Sequence, residues 1–309
     1  MVGEIDLNNA CFRSGVIDPV SGYAYYGGCN RTITKVALGD GYRLPRVVAT
    51  VQLESGEDEI ISGLIDPAGG YSYFGTRRYP GVSGSGSIVK VELGEGDAPP
   101  VRIGALAMNP GDNAVEPGII DPDAGFAIFG INRSGAEKLV KISTPRDHSL
   151  PVILAELQLD DSLSILTCSA FDVNRRRAYF GTLRGPGNNS PSAIIQIDTG
   201  VGDTSPVVLQ TLSLAQTSEW SNIYNLLSME IDADGDYLYA CSMHGDVVKI
   251  ATGLHDVEML AVSSLRFAGP VMSVTLDPIR GRLYAARRSN SQITQIDVVV
   301  GDAPIGIIG

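Results

Sequence analysis

Basic side chains recur along this chain at intervals close to fifty residues, and their type and spacing suggest a binding site. Each lies 10 to 13 residues after an aspartate of a repeated segment: Arg31, Arg77 with Arg78, Arg133, Arg184, His244, and Arg287 with Arg288. Guanidinium groups pair with carboxylate or sulfate through two parallel hydrogen bonds. Arranged around an axis, these groups predict a cationic ring for an anionic or glycan ligand. Tyr79 and Trp220 are predicted on the same face, where they would stack on sugar rings.

Carboxylates predicted at the same end of the repeats favour a second interpretation, in which ion pairs neutralise the ring. They are Glu54, Glu57, Asp58, Glu59, Asp112, Glu116, Asp160, Asp161 and Glu219. Exposed ion pairs contribute only about 0 to 1 kcal/mol each and require no function. The sequence leaves both interpretations open.

The repeated aspartates themselves predict turns rather than chemistry. Aspartate followed by proline and glycine is typical of the first position of a tight turn. The segment from Asp232 to Asp236 resembles a calcium loop, but its twelfth position is Met243 instead of glutamate. The glycine-rich stretch from Gly81 to Gly86 lacks the helix and the Lys-Ser/Thr pair of a phosphate loop.

Few residues suit catalysis. The chain has three histidines, His148, His244 and His255, and two of them map to the face opposite the basic loops. A histidine-rich zinc site or a Ser-His-Asp arrangement is therefore not expected, and the sequence predicts no catalytic residue, metal or cofactor. The remaining enzymatic candidate is a carboxylate-lined axial metal site, with ligands from Glu57, Glu116 and Asp161.

Cysteines and glycosylation motifs bear on the compartment. Cys11 and Cys29 face each other across the first predicted hairpin, and this geometry permits a disulfide without requiring it. Cys168 and Cys241 are predicted as small buried apolar residues. Sequons at Asn30, Asn132 and Asn188 fall in loops between the second and third strands of their repeats. These features predict an extracellular or cell-surface protein, although Met1 is followed by strand-like sequence rather than a leader.

Composition excludes several classes of protein. The net charge of −12 argues against a nucleic-acid-binding surface. The chain has no apolar run near the roughly 18 residues of a membrane helix, so membrane insertion is not expected. Glycine and proline, at 36 and 17 residues, separate short β-branched runs, which predicts many strands joined by turns.

A repeat organises these features. The segment from Gly15 to Gly27 returns at Gly63 to Gly75 and at Gly118 to Gly130, with weaker copies later. Its aspartates are spaced by 48, 55, 51, 60 and 45 residues, and by 50 through the termini: Asp18, Asp66, Asp121, Asp172, Asp232 and Asp277. Each repeat predicts four short strands. Residues 1–309 therefore predict one all-β, six-bladed β-propeller with four antiparallel strands per blade, whose last blade is completed by the N-terminal strand.

The pattern Ile-Asp-Pro-x-x-Gly-Tyr-Ala-Tyr-Phe-Gly-Thr, followed by Ile-Val-Lys-Val, resembles the propeller repeats of the YVTN and NHL families of secreted and surface-layer proteins. Such propellers include adhesion modules, ligand binders and a few enzymes, so the resemblance implies a fold more than a function. The leading hypothesis is a binding or adhesion module without enzymatic activity. The alternatives are a scaffold that contacts neighbouring protein chains and, third, a metal-dependent hydrolase or lactonase.

Overall fold

The structure is a computed structural model. It describes residues 5, 11–39, 42–78, 84–133, 137–184, 191–215, 223–232, 236–253, 257–277, 279–288, 292–298 and 304–307. Tyr79, Trp220 and Asn188, and most of the predicted N-terminal strand, lie outside these residues. The described residues form 24 β-strands and no helix, so they contain no helix that could cross a membrane.

The chain divides into two compact units, and each is described by itself. The N-terminal unit comprises Met1–Ser134 and Lys138–Glu156, and the C-terminal unit comprises Gly135–Glu137 and Leu157–Gly309. The prediction of one six-bladed ring over the whole chain stays a prediction.

Three groups of four antiparallel strands begin the chain. Sheet 1 contains β1 (Phe12–Asp18), β2 (Tyr23–Gly28), β3 (Thr32–Ala37) and β4 (Arg46–Gln52). Sheet 2 contains β5 (Glu59–Asp66), β6 (Tyr71–Arg77), β7 (Ser87–Glu92) and β8 (Val101–Ala107). Sheet 3 contains β9 (Asp112–Asp121), β10 (Phe126–Arg133), β11 (Lys138–Ser143) and β12 (Ile153–Gln158). One bridge between Arg77 and Ala114 joins sheets 2 and 3 into a single eight-stranded sheet.

The C-terminal unit repeats the arrangement three times. Sheet 4 contains β13 (Leu166–Asp172), β14 (Arg177–Thr182), β15 (Ala193–Asp198) and β16 (Val207–Ser213). Sheet 5 contains β17 (Leu226–Ile231), β18 (Tyr237–Ser242), β19 (Asp246–Ala251) and β20 (Leu260–Arg266). Sheet 6 contains β21 (Val271–Asp277), β22 (Arg282–Arg287), β23 (Gln292–Asp297) and β24 (Gly306–Ile307).

Each repeated aspartate forms the turn after the first strand of its sheet. The Asp18 carboxylate accepts hydrogen bonds from the backbone N–H groups of Val20 and Ser21. The other five carboxylates accept equivalent bonds from backbone N–H groups three or four residues ahead, at Asp66, Asp121, Asp172, Asp232 and Asp277. The aspartates therefore act as turn formers, as the residue pattern predicts.

The central strands are apolar on both faces because neighbouring sheets within each unit cover both. In the N-terminal unit, Val16 and Ile33 of sheet 1 share a buried cluster with Phe74 and Val89 of sheet 2. The approach is close at Gly75, where an added Cβ would lie 2.3 Å from the carbonyl oxygen of Val115. Glycine at this repeat position thus allows β9 to pack directly against sheet 2.

Buried lysines link successive sheets of the N-terminal unit. Lys90 in β7 is fully buried, lies over the ring of Tyr71 at 4.0 Å, and donates to the carbonyl oxygens of Pro145, Asp147 and Ser149 beyond β11. Lys35 in sheet 1 makes three equivalent bonds to the loop after β7. The three donors of each ammonium group are therefore satisfied by three carbonyls. We call this arrangement the lysine clasp.

Candidate functional site

Ion pairs occupy the arginines that the sequence predicts for a ligand ring in the N-terminal unit. Arg77 pairs with Glu59 at 2.6 Å and Arg133 with Asp112 at 3.0 Å, while Arg78 lies 3.8 Å from Asp58. All three carboxylates belong to the connections that the sequence offers as neutralising partners. The described geometry is thus that of the ion-pair interpretation, and these guanidinium groups do not form an open cationic surface.

Glu59 organises the centre of this region. Its side chain is 6% exposed and accepts two hydrogen bonds from Arg77, at 2.9 and 2.6 Å. On its other side it pairs with Arg13 of β1 at 2.5 Å. Both Arg77 hydrogen bonds end on the Oε2 oxygen of Glu59, and Arg13 pairs with the other oxygen, Oε1. One buried carboxylate therefore fixes two guanidinium groups.

Glu116 of β9 is the second carboxylate. One of its oxygens lies 3.7 Å from the Arg77 guanidinium, and its side chain is 22% exposed. Burial raises the pKa of Glu116 above its ordinary value, and the nearby Glu59 raises it further. Arg77, Arg13 and a hydrogen bond from Asn132 act in the opposite direction and only partly offset the effect of burial. We call Arg13, Glu59, Arg77, Glu116 and Asn132 the Glu116 cluster.

Strand ends bring the cluster together. Glu59 begins β5 and pairs in register with Arg77, which ends β6. A register irregularity in the pairing of β9 with β10 lies at Glu116, opposite Gly130. Such irregularities redirect side chains and are common beside functional sites. Glu116 is thereby held beside Arg77, whose strand contacts β9 through Ala114.

A second group of charges flanks the cluster. Asp112 is fully buried and pairs with Arg133 and with Lys138, the latter at 2.9 Å. Lys138 also binds Glu156 at 2.9 Å. Cations and carboxylates are therefore matched in number both here and in the Glu116 cluster.

The residues present do not form the predicted axial metal site. Among the described residues, no group of three or more His, Cys, Asp and Glu side chains could hold a metal ion. Glu57 instead binds Arg102 through three hydrogen bonds, and Glu116 faces Arg77. Each of these two carboxylates therefore faces a guanidinium group.

The remaining predicted ligand-binding residues are dispersed. Arg31 has a φ of 61° in its loop and Arg184 is exposed, with its backbone N–H bonded to Ser164. In the C-terminal unit, His244 packs edge-on against Tyr224 at 5.9 Å, and Arg287 lies over the Phe267 ring at 5.0 Å. Arg288 is exposed. None of these side chains joins a described cluster of the kind around Glu116.

Cysteines and sequons take defined places. Cys11 and Cys29 form a disulfide with Cα atoms 5.3 Å apart, and the Cys29 sulfur lies 3.7 Å from the Glu59 carboxylate. Cys168 and Cys241 are free and buried, and burial raises the pKa of the Cys168 thiol to about 12. Asn30 is exposed, whereas Asn132 is 7% exposed and bonds Glu116, which argues against a glycan at Asn132.

Sequence reasoning found only part of the cluster. It named Arg77 as a ligand-binding residue and named Glu59 and Glu116 as ion-pair partners, but it gave no role to Arg13 and treated Asn132 as a glycosylation motif. The missing signal was the contact between sheets, since Arg13 comes from sheet 1 and Glu116 from sheet 3. The available clue was that Glu59 and Glu116 were both predicted at the end of the repeats that carries the basic loops.

The sequence matches no protein-family model, and no curated protein is significantly similar to it. Solved structures do share its fold. A protein from Bacteroides uniformis, provisionally named a 6-phosphogluconolactonase, aligns with a TM-score of 0.75 and 12% identity over 96% of this chain and 83% of its own. A periplasmic gluconolactonase from Pseudomonas aeruginosa aligns at 0.74 and 14%, over 96% and 84%. Hydrazine synthase from Kuenenia stuttgartiensis aligns at 0.70 and 16%, over 93% and 84%.

These similarities establish a propeller-type fold, in agreement with the all-β four-stranded sheets. They also correct the functional prediction. The expectation of a binding or adhesion module without enzymatic activity was wrong, because structures that share the fold include proteins named as lactonases. The arginines that suggested an anionic ligand are instead paired with buried carboxylates, Arg77 with Glu59 and Arg133 with Asp112. The resemblance to YVTN and NHL repeats stays a prediction.

Proposed function

We propose that this protein hydrolyses a lactone at the Glu116 cluster. The observation that carries the proposal is a partly exposed carboxylate with a raised pKa, 3.7 Å from a guanidinium group that a second carboxylate holds in place. Ester hydrolysis needs a base for the attacking water and a cation or donor for the oxyanion. The lactonase names of the fold neighbours support the same reaction class.

The mechanism assigns one role to each residue. Glu116 accepts a proton from a water molecule, whose oxygen attacks the lactone carbonyl carbon. Arg77 stabilises the oxyanion of the tetrahedral intermediate. The bond between the carbonyl carbon and the ring oxygen then breaks, and the proton passes from Glu116 to the departing ring oxygen. The product is an open-chain hydroxy acid, and Glu116 returns to its ionised form.

Glu59, Arg13 and Asn132 are positioning residues in this scheme. Glu59 orients Arg77 through two hydrogen bonds, and Arg13 balances the charge of Glu59 on its other side. Asn132 bonds the Glu116 carboxylate and restricts its rotamers. This preorganisation lowers the reorganisation needed when charge develops on the substrate.

We infer the setting from the same residues. The 24 strands in groups of four support the six-bladed ring that the repeat spacing predicts. The Cys11–Cys29 disulfide supports an oxidising compartment, such as the bacterial periplasm or the extracellular space, because cytosolic thiols are kept reduced. The polar lining of the Glu116 cluster favours a hydroxylated, sugar-derived lactone over an apolar one.

Ring opening of glucono-δ-lactone and a panel of sugar γ- and δ-lactones, followed by proton release, tests the proposal. The wild-type protein is expected to accelerate at least one of them above the spontaneous rate. Glu116→Gln should lower kcat by about 100-fold or more, since it removes the general base. Glu156→Gln, which alters a half-exposed carboxylate bound to Lys138, is the matched control and should keep full activity. No acceleration by the folded wild-type protein across the panel would overturn the proposal.

A further inference from the structure

The C-terminal unit contains a cavity of about 680 Å³ between sheets 4 and 5. This volume lies in the range of small-molecule sites. Polar side chains dominate its wall, including Arg177, Tyr179, Gln196 and Gln210, and Leu209 and Val257 supply apolar surface. The Glu116 cluster contributes none of these residues, because it belongs to the N-terminal unit.

At three positions beside this cavity, sheet 4 carries residues that differ from those of the sheets with a buried lysine. In sheets 1, 2, 3 and 5, a lysine of the third strand lies under an aromatic ring at the start of the second, as Lys90 does under Tyr71. Sheet 4 has Gln196 in place of the lysine and Arg177 in place of the aromatic residue, with Asp198 opposite Arg177. The side chain that elsewhere forms the lysine clasp is thus shorter here and lacks the ammonium group.

Sheet 6 carries the same exchange, as Arg282, Gln295 and Asp297. There the Gln295 amide oxygen accepts a hydrogen bond from Arg282 at 3.0 Å, in the amide orientation that satisfies both of its atoms. In sheet 4 the glutamine is instead turned to a hydrogen-bonded chain along the cavity wall. Substitutions in sheet 6 therefore serve as a matched control for the same substitutions in sheet 4.

The wall of the cavity is held rigidly. Gln196 is 4% exposed, and its amide donates to the Tyr179 hydroxyl at 3.0 Å and to the Thr252 carbonyl at 3.1 Å. Gln210 donates to the Gln196 amide oxygen at 2.7 Å and accepts from the backbone N–H of Met259 at 2.7 Å. Each amide is thereby fixed in one orientation, so the cavity presents a defined pattern of donors and acceptors.

Two guanidinium groups, Arg175 and Arg177, lie on the cavity wall. Arg175 pairs with both Asp172 and Asp236, so Arg177 is the cation proposed to bind the ligand. One terminal nitrogen of Arg177 binds Asp198, and its side chain remains about one-third exposed. A guanidinium group has five N–H donors, so most of its capacity is left for a ligand after this one bond. Glu258, on the same wall, disfavours ligands of high negative charge.

We propose that this cavity binds a small polyhydroxy monocarboxylate. A single carboxylate matches Arg177, and the carbon chain matches Leu209 and Val257. Hydroxyl groups match the Gln210 amide and the second lone pair of the Gln196 oxygen, since both N–H groups of Gln196 are already bonded. The class includes the hydroxy acid that lactone hydrolysis would release, but the binding proposal does not depend on the proposed function.

Gluconate binding, measured by isothermal titration calorimetry and ligand-observed NMR, tests the proposal. The wild-type protein should bind gluconate with a Kd near or below about 1 mM. Sorbitol, the corresponding uncharged polyol, and inorganic phosphate should both bind at least about tenfold more weakly, because each lacks half of the recognised chemistry. Equal binding of phosphate would identify a general anion site and overturn the assignment.

Variants locate the site. The triple variant Arg177→Tyr, Gln196→Lys, Asp198→Ala gives sheet 4 the residues of the lysine clasp, and it should abolish gluconate binding. The corresponding changes in sheet 6, Arg282→Tyr, Gln295→Lys, Asp297→Ala, should leave binding intact. Arg177→Gln alone, which is a smaller change if the triple variant fails to fold, should weaken binding about tenfold. Undiminished binding in both sheet 4 variants, or none in the wild type, would overturn the proposal.

The same measurement separates the two proposals. Glu116→Gln is expected to bind gluconate as the wild type does, since Glu116 lies outside the cavity. A protein that binds gluconate but opens no lactone would retain the cavity proposal and lose the proposed function. A protein that opens lactones but binds no gluconate at this cavity would retain the proposed function and lose the cavity proposal.

Discussion

At the scale of single residues, Glu59 controls the electrostatics of the Glu116 cluster. Its negative charge raises the pKa of Glu116, and it holds Arg77 away from a closer pairing with Glu116. In Glu59→Gln both effects disappear, so the Glu116 pKa should fall. The acidic limb of the kcat/KM profile should therefore move to lower pH, with a reduced kcat because Arg77 loses its orientation. A variant with lower kcat and an unmoved limb would contradict this role.

Glu230 has no role in the proposed reaction. It lies in β17 and pairs with Tyr239 of β18, at the register position held by Val16, Leu64 and Ala170 in other sheets. Burial alone raises the pKa of Glu230 from 4.5 to about 7. The folded state therefore binds a proton that the unfolded state releases between these pH values.

This shift predicts a pH-dependent stability. The contribution of Glu230 to the free energy of unfolding is fully present below about pH 4.5 and is lost as pH rises through about 7. The free energy of unfolding falls by about 3 kcal/mol as an upper limit. The actual loss is smaller because the side chain is partly exposed to solvent. Chemical denaturation of wild type and Glu230→Gln at pH 5 and pH 8 measures it. The difference between the two proteins should change with pH, and a constant difference would contradict the prediction.

At the scale of elements, the lysine clasp of Lys90 reinforces the connection between sheets 2 and 3, whose strands share only the bridge between Arg77 and Ala114. Lys90→Met keeps the apolar stem but leaves the carbonyls of Pro145, Asp147 and Ser149 without their donor. We expect the free energy of unfolding to fall by about 3 kcal/mol or more, as for other buried polar groups that lose their partner. Urea denaturation measures the change, with the exposed Glu95→Gln as control. Equal stability of Lys90→Met and wild type would show that the clasp contributes nothing.

The sequence predicted the strands and turns better than it predicted the contacts between them. The repeated aspartates placed the first turn of every sheet, and the four short strands predicted for each repeat agree with the four strands of each sheet. The lysine in third strands such as β7 was visible as a repeated Val-Lys-Val pattern, but its function was not. Its partners lie 55 to 59 residues away. Periodicity reports local structure, whereas such contacts depend on how sheets pack.

The same limit explains the error about function. Repetition placed a basic residue, arginine or His244, in each predicted loop, and the sequence alone left these groups available to a ligand. The structure instead gives Arg77 and Arg133 buried carboxylate partners. A ring of charges and a set of ion pairs have the same sequence pattern, and only the distances between side chains distinguish them.

At the scale of the whole molecule, charge bears on the choice of substrate. The chain carries a net charge of −12, and cations and carboxylates are matched around Glu116 and Asp112. No surplus cation is left there for a phosphate group. We therefore expect a higher kcat/KM for glucono-δ-lactone than for its 6-phosphate, and a larger preference at low ionic strength, where repulsion is less screened. A preference for the phosphorylated lactone would contradict this electrostatic account.

The most direct test of the account is the pH dependence of lactone hydrolysis by the wild-type protein, measured as kcat/KM between pH 4 and pH 8 after subtraction of the spontaneous rate. A general base must be ionised, so activity should rise with pH as one group loses its proton. The pKa of that group should lie above the 4.5 of an ordinary glutamate. The remaining activity of Glu116→Gln should lack this limb. An identical profile in wild type and Glu116→Gln would contradict the assignment of Glu116 as the base.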